Sequence, residues 1–148
     1  MRVNNILFII LFISIGCSQS TDKVDLDLRN DTYYSKETNE PYTGKVVSYY
    51  STGELFEEEE LLNGKTNGIY KVYYQNGNLM EKGSFIRGIS NGKFLKYYED
   101  GSLKSERYWS YGKFDGEWKF YHKNGNLEKW ITYDNGKVVS KSPFFSSF

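Results

Sequence analysis

The chain has 148 residues, 19 Lys+Arg against 19 Asp+Glu and one His, so its formal charge is zero and its size fits one domain. That balance argues against a generic polyanion binder, and no nucleic acid is expected as partner. A single Cys excludes an internal disulfide framework and a cysteine-cluster metal site, while 18% aromatics, 14 Gly and only 2 Pro point to Tyr- and Gly-rich β-structure.

Residues 1–16 read as an address rather than as fold. One positive charge at Arg2 precedes the apolar run Ile6 to Ile13, too short for a comfortable membrane span and the right length for a signal-peptide core. Ser14 and Gly16 before Cys17 resemble the lipobox of bacterial lipoproteins, with Ser14 standing where that box favours Leu. The resemblance implies a lipidated Cys17, export, and a lipid-anchored place in the cell envelope, at the outer membrane in a Gram-negative cell. Each buried acyl methylene contributes about 0.8 kcal/mol to such an anchor. Residues 17–30 then form the lipidated Cys and a polar tether.

The segment 31–148 is organised by a repeat of 24 residues. Gly44, Gly68, Gly92 and Gly116 keep this step. So do Gly53 to Gly125, Gly64 to Gly136, Leu55 to Leu127, and Tyr49, Tyr73, Tyr97 and Tyr121. Before the first full unit, Val24 to Leu28 alternates like a strand, and Tyr33-Tyr34 with Thr38 to Pro41 reads as a degenerate capping hairpin. Within the units, Asn76-Gly77, Asp100-Gly101 and Asn124-Gly125 predict type I′ hairpin turns, and a second glycine turn links each hairpin to the next. After the last unit, Lys137-Val138-Val139 begins a fifth that breaks at Pro143, leaving Phe144, Phe145 and Phe148 to cover the edge or to fray.

An isolated hairpin is marginal in water, so the units must pair edge to edge. The expected fold is all-β: an elongated single-layer antiparallel sheet of tandem hairpins. Equivalent side chains then stack in rows. Tyr50, Tyr74, Tyr98 and His122 share a face with Val46, Tyr70, Phe94 and Trp118, and the Tyr49, Tyr73, Tyr97, Tyr121 row takes the other face. The candidate partner-binding residues are therefore Tyr49, Tyr50, Tyr70, Tyr73, Tyr74, Phe94, Tyr97, Tyr98, Trp118 and Tyr121. Tyrosine suits this role because it offers a large rigid contact area with a polar tip.

Units such as Gly68 to Leu79 and Gly116 to Leu127 resemble the bacterial MORN-repeat variant, whose members are often named the YwqK antitoxin family. The resemblance runs from about residue 42 to 139. It implies a surface-anchored hairpin scaffold, with a toxin as partner in some members. A weaker likeness, to the cell-wall-binding repeats of Gram-positive surface proteins, rests on Trp109, Trp118 and Trp130; those repeats are shorter and richer in Trp.

No catalytic constellation, cofactor motif or metal loop stands apart from the repeat. His122 fills an aromatic slot, and the run Glu57 to Glu60 alternates between faces and reads as a solvated strand. Charge is unevenly placed: residues 24–60 hold three Lys+Arg and ten Asp+Glu, residues 61–141 fourteen and eight. On an elongated sheet this makes a long-axis dipole, which can steer a partner or favour head-to-tail contacts; the alternative is drift among solvated surface positions. The expected function is a membrane-anchored, non-enzymatic protein-binding scaffold of the envelope, in a narrower form a toxin-neutralising protein, with a cell-wall or glycan-binding module as the alternative.

Overall fold

The computed structural model describes residues 25–143, so the segment 1–16 read as a signal peptide, Cys17 and Phe144, Phe145 and Phe148 lie outside the described residues. Described residues form strands and turns without a helix: β1 (Leu26–Arg29), β2 (Thr32–Ser35), β3 (Gly44–Tyr49), β4 (Leu55–Leu62), β5 (Lys65–Tyr73), β6 (Leu79–Ile86), β7 (Ile89–Ser90), β8 (Gly92–Tyr97), β9 (Leu103–Ser110), β10 (Lys113–Tyr121), β11 (Leu127–Asp134) and β12 (Lys137–Lys141). From β3 to β12 they build one antiparallel meander in chain order, with the short β7 pairing only β6. The expected tandem-hairpin sheet is the fold observed.

At its start, β1 and β2 form the cap anticipated from the alternating segment; β1 begins within the stretch read as tether. Tyr34 bridges Pro41, and the Tyr33 N–H donates to the Gly64 carbonyl at 2.9 Å, so the cap is bonded to the first unit.

The hairpin turns at Asn76-Gly77, Asp100-Gly101 and Asn124-Gly125 are not the two-residue type I′ turns expected from the sequence. At Asn76-Gly77 only the glycine takes positive φ, the Gly77 N–H donates to the Tyr74 carbonyl, and the Tyr74 N–H to the Asn78 carbonyl. This is a three-residue loop closed by a bulge. The cause is register: Tyr73 faces Leu79, whereas a two-residue loop at Asn76-Gly77 would move Leu79 to the other face. Asn76 instead accepts the Asn78 N–H on Oδ1 at 2.9 Å, and Asp100 and Asn124 repeat that bond. The turns with two left-handed residues are the linkers Asn63-Gly64, Arg87-Gly88, Tyr111-Gly112 and Asn135-Gly136, together with Asn30-Asp31 in the cap.

These linkers also lock one unit to another. The Gly88 N–H donates to the Thr66 carbonyl at 2.7 Å, Gly112 to Ser90 at 2.9 Å and Gly136 to Phe114 at 2.8 Å. Asn67 and Asn91 accept the Arg87 and Tyr111 N–H groups on their side chains. A bulge opposite Glu60 makes this possible: Glu59 pairs Tyr70 but Leu61 pairs Thr66, so the start of β5 is re-aimed toward the next turn.

The core is thin, as a single layer requires. Its most buried apolar side chains are Val46, Val47, Leu61, Val72, Phe94 and Trp118. Most of the enclosure comes from a ladder of rings in successive edge-on or tilted contact: Tyr70–Phe85, Phe85–Phe94, Phe94–Trp109, Trp109–Trp118 and Trp118–Tyr133, with centroids 4.9–6.1 Å apart. Gly83 makes room for it. A Cβ there would lie 2.1 Å from the Phe94 ring.

Candidate binding surface

Strand register carries eight residues straight across each face. One row runs Ser48, Glu57, Val72, Glu81, Lys96, Ser105, Phe120, Lys129. On the opposite face the row is Val47, Glu58, Lys71, Lys82, Leu95, Glu106, Lys119, Trp130. Both faces thus mix charges with apolar groups, and opposite charges pair within them. Glu58 sits between Lys45 at 2.7 Å and Lys71 at 2.6 Å, Lys93 meets Glu106 at 2.8 Å, and Arg107 meets Glu81.

The ten candidate residues divide by what holds them. Phe94 and Trp118 are 5% and 7% exposed, which corrects the expectation that their row is presented to a partner. The physical reason is the ladder itself: Phe85, Trp109, Phe114 and Tyr133 close over them. Tyr70 is half-buried at the end of the same ladder. Tyr50, Tyr74 and Tyr98 are half-buried and donate their hydroxyls to the carbonyls of Tyr73, Tyr97 and Tyr121, one unit further on, at 2.7–2.8 Å. They stitch the units together while leaving ring area open. Tyr49, Tyr73, Tyr97 and Tyr121 are half-buried beside Leu55, Leu79, Leu103 and Leu127, and Tyr73 donates to Glu58.

Electrostatics separate the two faces near the cap. Burial, helped by the charge of Glu59, pushes the Glu57 carboxyl up to about 7, against a hydrogen bond from Tyr70 that opposes it. Burial also raises Glu59, which the Thr66 hydroxyl partly relieves at 2.7 Å. Across the sheet, burial works on Glu58 too, but Lys45, Lys71 and the Tyr73 hydroxyl overcome it and hold that carboxyl at about 2.

The long edge formed by the linker turns was not among the sequence-derived candidates. It carries Ile86, Ile89 and Tyr111 at 41%, 46% and 69% exposure, together with Arg87, Lys113 and Phe114. A sequence signal was present: Asn63 and Asn135 fill the first turn position in the outer units, and Arg87 and Tyr111 replace Asn in the inner two. At the far end, Trp130, Ile131, Val138 and Pro143 line an open recess of about 520 Å³ beside the edge strand β12. Of the three tryptophans weighed for glycan binding, Trp130 lines this recess, while the Trp118 ring is occupied in the core and its Nε1 donates to the Tyr108 carbonyl at 2.8 Å.

Residues 66–87, 90–110 and 114–135 match the family described as MORN repeat variant. Each match covers one hairpin from the strand after a linker turn into the next, namely β5–β6, β7–β9 and β10–β11. The first hairpin, β3–β4, shares their register and bulges outside the matched segments. No curated protein matches the chain.

Proposed function

We propose that this chain is a non-enzymatic scaffold that docks another protein on its repeat sheet, tethered to a bacterial envelope through a lipid on Cys17. In the narrower form of this reading the partner is a toxin, which the tethered sheet neutralises. The observation that supports the reading is the pairing of three MORN-type repeats with a single-layer sheet. Both of its broad faces carry half-exposed tyrosines in mixed-charge rows, and an extended surface of that kind suits recognition of another macromolecule.

Co-expression with the product of the neighbouring gene tests the toxin form. Copurification together with rescue of growth is the expected result; absence of both discards it. For the anchor, palmitate labelling should be lost on Cys17→Ser, and labelling that persists in this variant removes the lipid from the account. The glycan reading keeps one supporting feature, the recess beside Trp130. Sedimentation with peptidoglycan that is abolished by Trp130→Ala would favour it over protein docking.

A further inference from the structure

The linker-turn edge brings three features together in one place. The first is backbone cost. Arg87 and Tyr111 hold φ of 52° and 44° at the turn position that Asn63 and Asn135 fill in the flanking units. Asn tolerates the left-handed region, whereas a long or aromatic side chain there is uncommon and strained, and such outliers gather where function requires them. The second is exposure: Tyr111, Ile86 and Ile89 stand out of the sheet, and the turns abut, since a Cβ on Gly112 would lie 3.2 Å from the Ile89 side chain.

The third feature is charge left uncompensated. On the faces Lys45, Lys71, Lys93, Lys96 and Arg107 pair with carboxylates, and Lys104 lies over the Tyr98 ring. On this edge Lys113 reaches only the neutral Asn135 Oδ1 at 2.8 Å, Lys65 reaches a backbone carbonyl, and the Arg87 guanidinium makes no ion pair or hydrogen bond with a described residue. Arg and Tyr are the residue types that carry the most energy when an interface closes over them, and here each is flanked by apolar groups able to exclude water.

Building on the protein-docking reading, we infer that Ile86, Arg87, Ile89, Tyr111, Lys113 and Phe114 form the primary contact surface, and that its occupant is an acidic protein segment carrying apolar side chains. Positive charge without internal partners selects carboxylates, and the isoleucines with Tyr111 and Phe114 select the apolar groups between them.

The test pans a phage-displayed random peptide library on the full chain. The binders are then measured as labelled synthetic peptides by fluorescence anisotropy against wild type and the double variant Arg87→Asn, Tyr111→Asn. The expected binders alternate Asp or Glu with Leu, Ile or Phe, and the double variant weakens them at least ~10-fold. The same variant should melt a few degrees higher, because Asn relieves the turns. Binders that ignore the double variant overturn this surface and leave the scaffold reading standing, whereas a library that yields none counts against both. A lowered melting temperature assigns the two residues a purely structural role and overturns the inference. So does a double variant that loses phosphatidylglycerol-vesicle binding, or self-association seen by sedimentation, in place of peptide binding.

Discussion

Several individual residues are set by what stands opposite them rather than by their own propensity. Gly83 has an ordinary backbone, so its role is space for the Phe94 ring. Gly83→Ala should therefore cost about 1–3 kcal/mol, the range for overpacking a fitted site, and chemical denaturation measures it. Tyr74 carries a bond between units, and Tyr74→Phe should cost about 1 kcal/mol while leaving the ring in place. Glu57 and Glu58 give stability an opposed pH dependence. The Glu57 carboxyl titrates near 7 when folded and near 4.5 when free, so the folded state holds the extra proton and stability falls as pH rises through that window. Glu58, held near 2, contributes stability that is complete above 4.5 and lost as pH drops toward 2. The melting temperature should peak near pH 4.5–5, between those windows. Glu57→Gln should raise stability at pH 7.5 by ~1–2 kcal/mol, after discounting for partial exposure, and flatten the decline above pH 5.

Among elements, the turns explain both what the sequence revealed and what it concealed. The repeat length and the hairpin unit were legible because glycine and apolar positions recur in strict phase. Turn type was not, because Asn-Gly satisfies two loop geometries and the choice between them belongs to the cross-strand pair Tyr73–Leu79. Burial of Phe94 and Trp118 was equally hidden: a two-residue period assigns a face but does not reveal that rings from neighbouring strands close over it. The linker edge is not apparent as a surface in the sequence because its two clusters, Ile86 to Ile89 and Tyr111 to Phe114, are brought together only by the pairing of the strands between them. A glycine in a left-handed linker turn is less replaceable than one with open space alone. Gly112→Ala combines φ of 80° with a close approach to Ile89 and should destabilise by ~1–2 kcal/mol, measurable as a shift in urea midpoint.

As a whole, the molecule is a one-dimensional array in which each hairpin bonds only its neighbours. That architecture makes the number of units adjustable. Deleting residues 68–91 joins Asn67 to Gly92, restoring the Asn-Gly step that precedes each removed boundary. The shortened chain should keep its β-type circular dichroism with a lower melting temperature and a smaller denaturant slope, since one nearest-neighbour interface is gone. In the proposed function this sheet, already paired strand to strand, meets its partner without remodelling. Hydrogen exchange on the full chain, alone and co-expressed with the neighbouring gene's product, tests this most directly. The account predicts new protection at the linker turns around Arg87 and Tyr111, with slow exchange in β3 to β11 unchanged; a complex without local protection, or with exchange altered through every strand, would contradict it.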